Sequence, residues 1–205
     1  MPGTMLYPVI WTPEMILKNF NSGVNINCPN ARSLMDISLS NPSSLKTNKE
    51  YSVKKNADVK ALREKLKLPK SKIDRILVYS ENSDLSKSLS NSANIKKAVL
   101  DWKAGRIVDK NGNRKSKFVV SANDTQDLKR AINGCTITGL KENPDGSVSG
   151  YVYDIYNFDS SYTDMKTVGK DLSFVNKVAC YLQRKGIIHN YQLLVPIRIK
   201  FDKKG

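Results

Sequence analysis

The chain has almost no histidine, no paired cysteine motif and no long apolar run, and each absence removes a class of function. His189 is the single histidine in 205 residues, so zinc motifs that need two histidines are excluded. Cys28, Cys135 and Cys180 are an odd number without CxxC spacing, which argues against a disulfide framework or a thiolate zinc site and predicts buried thiols. No stretch approaches the roughly 18 apolar residues that span a bilayer, so no transmembrane segment is expected. The P-loop, the dinucleotide-binding glycine pattern and the G-x-S-x-G elbow are also missing. The first stretch, M-P-G-T-M-L-Y-P-V-I-W-T-P, has no basic segment before its short apolar run and is broken by Pro2, Pro8 and Pro13. It does not read as a signal peptide, and export without one fits a fragment released from a larger secreted protein.

Acidic residues are in deficit, 19 against 34 Lys and Arg, for a net charge of +15. The imbalance is local. Residues 1–45 are neutral, residues 46–117 carry 20 basic and 8 acidic side chains, and residues 118–205 carry 12 and 9. A +12 middle third marks either an electrostatic partner, such as nucleic acid, an anionic membrane surface or an acidic protein, or a solvated lysine-rich surface.

What is present is a globular composition, 40% hydrophobic. Thr12-Pro13-Glu14 predicts a cap for a short helix over Met15 to Phe20. The Asn, Ser and Pro from Asn21 to Ser52 predict an irregular connector. The middle third reads as helical: Val59, Leu62 and Leu66 recur at three to four, Ser71 caps a segment with Ile73, Ile76 and Leu77 in a stripe, and Asp84 to Leu89 adds a turn. Ser92 then caps a helix with Ile95, Val99 and Trp102 on one side, ended by Gly105. Asp109 to Lys117 is a turn-rich basic loop. Lys96, Lys97, Arg114, Lys115 and Lys117 are the candidate nucleic-acid- or anion-binding residues.

The last third predicts an α-β-β-α-β unit. Phe118-Val119-Val120 is a short strand; a helix over Asp124 to Asn133, capped by Asn123 or Asp124, leads into a hairpin turning at Asn143-Pro144-Asp145-Gly146. A second helix carries Phe174, Val178 and Tyr181, and a strand spans Tyr191 to Phe201, with Pro196 marking an edge or bulge. The expected fold class is α+β with a mainly antiparallel sheet, organised as an irregular segment over 1–50, a basic helical region over 51–117 and an activity domain over 118–205.

Strand alternation puts Val148, Gly150, Val152, Asp154, Tyr156 and Phe158 on one face of the second hairpin arm and Tyr151, Tyr153, Ile155, Asn157 and Asp159 on the other. Asp154, Tyr156 and Asp159 at this strand end are candidate catalytic residues. Its carboxylates, Asp154 and Asp159, could hold a divalent cation, Mg or Ca, or take a proton. Structural strand-ending is the competing explanation. His189, in the turn before the last strand, is a further acid–base candidate.

The string D-G-S-V-S-G-Y-V-Y-D-I-Y-N-F-D, followed by a helix and G-I-I-H-N-Y-Q-L-L-V-P-I, resembles the carboxy-terminal activity domain of colicin M-like bacteriocins over residues 128–201. That resemblance implies a secreted antibacterial hydrolase cleaving a lipid-linked peptidoglycan precursor in the target's periplasm, with a divalent metal and a cognate immunity protein. Asp154 and Tyr156 match the family's D-x-Y-D-F segment. Asn157 stands where the motif has its second aspartate, and the family's following His-Arg pair is absent from Asp159 to Lys170. The arrangement also looks like toxin modules at the ends of large bacterial competition proteins. The alternatives are a basic nuclease toxin acting on RNA or DNA in the target's cytoplasm, and a non-enzymatic binding or structural module.

Overall fold

The structure, a computed structural model, describes residues 28–132, 134–158 and 179–201. The described residues fall into two units: Phe158 with residues 179–188, and all the others. The expected helix over Met15 to Phe20, the loop over Ser160 to Lys170, and Asp159 lie outside the described residues.

The larger unit begins with α1 (Pro29–Leu39), inside the stretch expected to be irregular. Ala31, Leu34, Met35 and Ser38 are buried at helical spacing, so an amphipathic stripe was present among the polar residues. The cap is remote: the Cys28 side chain at the N-cap position does not bond the first turn. Instead, the Asp127 carboxylate accepts from the N–H groups of Asn30 at 3.3 Å and Ala31 at 2.9 Å. Both donors would otherwise lack an intrahelical partner.

Residues 51–117 are not all helical. They supply β1 (Tyr51–Lys55), α2 (Asn56–Leu66), β2 (Arg75–Tyr79), α3 (Asp84–Asn91) and α4 (Ala93–Lys103). The Ile76-Leu77 pair belongs to a strand because R-I-L-V-Y is buried on both faces, with Ile76 and Leu77 fully enclosed. A strand covered on both sides loses the period of two and resembles a helix stripe. Ser71, expected to cap a helix, accepts from the Ile73 N–H at 3.1 Å in a local turn. The Ser92 cap and the Ile95, Val99 and Trp102 stripe of α4 form as the sequence indicates.

β3 (Lys117–Ser121), α5 (Gln126–Ala131), β4 (Gly134–Glu142), β5 (Val148–Tyr156) and β6 (Tyr191–Ile199) follow. Thr125, not Asn123 or Asp124, caps α5. Asp124 is used elsewhere, accepting from the Ser92 hydroxyl and the Ala93 N–H at the start of α4. One six-stranded sheet runs β1-β2-β6-β5-β4-β3, antiparallel except for β2 against β6. The fold class is α+β. β2, from the stretch expected to form a separate helical region, is hydrogen-bonded to β6.

α2 covers one face of the sheet, packing Val59 and Leu66 with Ile76, Tyr153 and Leu194. It is pinned by the Thr138 hydroxyl, which donates to the Leu66 carbonyl at 2.6 Å. α1 meets the opposite face, where the Tyr191 hydroxyl donates to the Leu34 carbonyl at 2.7 Å. Pro196 lies in a strand with neighbours on both sides, yet the pairing of β2 with β6 stops short of it, at Val78 opposite Leu194. α3 takes its place: the Ser86 hydroxyl donates to the Pro196 carbonyl, and the Ser90 hydroxyl accepts from the Arg198 N–H. Proline is tolerated there because no strand needs its missing donor.

The β4–β5 hairpin turns through Asn143 to Ser147, closed by Asn143 N–H to Ser147 carbonyl at 2.8 Å, with Gly146 at φ 81°. Near its base Gly139, at φ 63°, sits where the register shifts between Thr138 and Lys141. A Cβ there would come within 3.0 Å of Leu66 Cδ2. In the smaller unit residues 179–184 are helical, and Gln183 Oε1 accepts from the Phe158 N–H at 2.8 Å. Cys28, Cys135 and Cys180 are all buried.

Candidate functional site

Two places hold the candidate residues. The first is the end of β5. Asp154 pairs with Leu193 and Tyr156 with Tyr191, so alternation puts Asp154, Tyr156, Tyr191 and Leu193 on the face that meets α1. Tyr156 and Tyr191 stack with ring centroids 5.2 Å apart, and both are buried. Their phenols are held above the ordinary range, first by burial, with the Asp154 carboxylate adding to the shift. Burial pushes the Cys135 thiol up to about 12, again with Asp154 adding. These groups therefore stay protonated at neutral pH.

Asp154 itself is half-buried. Burial raises its carboxyl to about 7, partly offset by a hydrogen bond from the Ile155 N–H. No ion pair to Asp154 exists among the described residues. A carboxyl divided between its two forms at neutral pH can both give and take a proton. His189 lies two residues before Tyr191, at the same end of the sheet, with its backbone N–H donating to the Ser38 carbonyl at 2.8 Å. No side-chain hydrogen bond joins it to Asp154 among the described residues. No group of three His, Cys, Asp or Glu suited to a metal ion is found among the described residues, and Asp159, the second expected ligand, is outside them.

The second place is a basic surface around Trp102. The indole N–H donates to the Lys115 carbonyl at 3.0 Å, tying the 109–117 loop to α4. Arg114 lies over the indole ring, 5.1 Å from its centroid, bonds the Lys103 carbonyl and pairs with Glu142 at 2.7 Å. Lys117 Nζ donates to the Lys67 carbonyl at 3.1 Å. Lys65, Lys67 and Lys115 line a cavity of about 130 Å³ with Trp102 at its wall. Three separated stretches, 65–67, 102–103 and 114–117, thus converge.

Of the five cations expected to meet anions, the structure gathers Arg114, Lys115 and Lys117 here. Lys96 is on α4 and donates to Asn91 Oδ1 at 3.3 Å. Exposed Lys97 follows it, and no recorded contact joins either to the cluster. Lys65 and Lys67 were not singled out from sequence; the alternating K-L-K-L-P-K run at 65–70 was the available signal. A scan against protein-family models, a search of curated proteins and a search of solved structures each found no match to this chain.

Proposed function

We propose that this protein binds a phosphate-bearing polymer, nucleic acid, through the surface formed by Lys65, Lys67, Arg114, Lys115 and Lys117, in the role of a nuclease-type bacterial toxin. The convergence of these five cations carries the binding reading. Of these five cations only Arg114 is in an ion pair with a described residue, so four lysine charges remain for phosphates. With about four phosphates neutralised, log affinity for duplex DNA should fall against log salt with a slope of about −3.6, roughly 150-fold between 50 and 200 mM. Fluorescence anisotropy with labelled single- and double-stranded oligonucleotides tests this. Binding that is absent at low salt, or indifferent to salt, rejects it.

A second reading is favoured by Asp154. A carboxyl titrating near neutrality beside Tyr156 suits a general acid–base in hydrolysis of a lipid-linked pyrophosphate, the chemistry that the colicin M-like resemblance implies. Under it the basic surface would serve delivery to an anionic membrane. Expression directed to either compartment of a bacterial host separates the two. Killing from the cytoplasm with degraded RNA or DNA supports the nuclease; killing only from the periplasm supports the envelope hydrolase. Harmlessness in both leaves a binding module.

A further inference from the structure

We propose that the cavity between α2 and residues 71–74 is a binding site for a phosphomonoester, separate from the basic surface around Trp102. The cavity has a volume of about 440 Å³ and is lined by Asn56, Lys60, Arg63, Glu64, Lys72 and Asp74 among others. Three cations face two carboxylates, and Asp74 is engaged by Arg75 at 3.2 Å. The amino-terminal end of α2, at Asn56, adds partial positive charge to the same wall.

The distinguishing feature is how Arg63 is held. Its Nη2 donates to the Ile73 carbonyl at 2.9 Å and to Gln192 Oε1 at 3.0 Å. Gln192 is fully buried in the middle of the sheet. Its Oε1 also accepts from the Tyr153 hydroxyl at 2.7 Å, and its Nε2 donates to the carbonyls of Ile73 at 2.7 Å and Arg75 at 3.1 Å. Every donor and lone pair of that amide is used. A core position that an apolar residue could fill instead carries a saturated polar network, and its product is a guanidinium fixed in orientation at the cavity wall. Arg63 Nη1 makes no hydrogen bond among the described residues. Both Nη2 hydrogens are spent on Ile73 and Gln192, so the guanidinium offers its Nη1 end to a ligand, and with two lysines on the same wall three positive charges suit a doubly charged tetrahedral phosphate better than a singly charged carboxylate. The volume exceeds what a phosphate group alone needs and lies in the range of small-ligand pockets, so the ester's organic part fits too.

Titrating the full, isotope-labelled chain with inorganic phosphate and, in parallel, with adenosine 5′-monophosphate tests the site by NMR. The expected result is saturable shifts at the amides of Lys60, Arg63 and Lys72, with the monoester binding at least as tightly. Arg63→Lys keeps the charge but loses the Nη2 bonds to Ile73 and Gln192 that fix its orientation, and should weaken binding about tenfold; Lys72→Ala, at an exposed position, should weaken it several-fold without altering the fold. Charge reversal at Lys115 and Lys117 should leave it intact, so failure of nucleic-acid binding and failure of this site are separable. Absence of saturable shifts, shifts confined to Lys115 and Lys117, or unchanged affinity in folded Arg63→Lys or in Lys72→Ala overturns the proposal.

Discussion

Asp154→Asn should make the protein more stable at pH 8 and leave its stability unchanged at pH 4. The native carboxyl titrates near 7 against an ordinary value of 3.8, chiefly because of burial. Between those two values the native state holds a proton that the unfolded chain has released, so stability falls as pH rises through this window and stays low above it. A gap of about 3 units at 1.36 kcal/mol each makes the charged form cost on the order of 4 kcal/mol at pH 8. Asparagine keeps the shape and an oxygen for the Ile155 N–H while removing the charge. The expected gain is about 2–4 kcal/mol at pH 8, shrinking to nothing below pH 4. Urea unfolding of both proteins at several pH values between 4 and 8.5 reads it directly. The reasoning fails if the variant is no more stable than the parent at pH 8, or if the difference between them does not change with pH. If the protein kills bacteria as proposed, such a gain together with a loss of killing would identify a group kept for chemistry at the expense of stability.

Tyr79→Phe and Tyr191→Phe should move in opposite directions in the same unfolding assay. The buried Tyr79 hydroxyl has no hydrogen-bond partner among the described residues, so its loss should stabilise by about 1 kcal/mol, whereas losing the Tyr191 bond to Leu34 should cost about 1–2 kcal/mol. Gln192→Leu should destabilise by about 2–4 kcal/mol, because it strands the Tyr153 hydroxyl, takes one of two acceptors from Arg63 and removes a donor from the Ile73 and Arg75 carbonyls; a loss under 1 kcal/mol would contradict that accounting. If the Trp102 surface grips nucleic acid, Lys115→Glu with Lys117→Glu should weaken binding and flatten the salt slope by about 2 or more, while Lys96→Glu with Lys97→Glu should do less. Equal effects from the two pairs would mean a diffuse charge effect with no defined surface.

The hairpin, α4 and the last strand were legible because turn residues, caps and periodicity are local signals. Asn143 to Gly146 and Ser92 act on residues within a few positions of themselves. α1 was hidden because its cap, Asp127, lies far along the chain, and Asn30 and Ser38, which looked like loop residues, are buried helix positions. β2 was mistaken for a helix stripe because burial on both faces erases alternation, although its β-branched and aromatic content pointed to a strand. At the strand end the sequence indicated the face on which Asp154 and Tyr156 lie, but not the stacked ring of Tyr191 beside them. The grouping of Lys65 and Lys67 with Arg114, Lys115 and Lys117 depends on chain reversals that no local pattern records.

β6 is sixth in sequence and third in the sheet, between β2 and β5. Its partner Ile76 on one side is more than a hundred residues earlier. Until β6 arrives, β1 with β2 forms one ribbon and β3 with β4 and β5 another, each with an inner edge that β6 later pairs, and among the described residues no other strand pairing links them. The sheet is therefore completed by inserting a strand into a gap rather than by adding strands outward. Such a long-range closure is slow relative to local pairing, and while it waits, the open edges of β2 and β5 can recruit strands from other chains. Ribosome-stalled or truncated forms that stop before Tyr191 should accordingly stay dependent on chaperones, with the two ribbons present and unjoined.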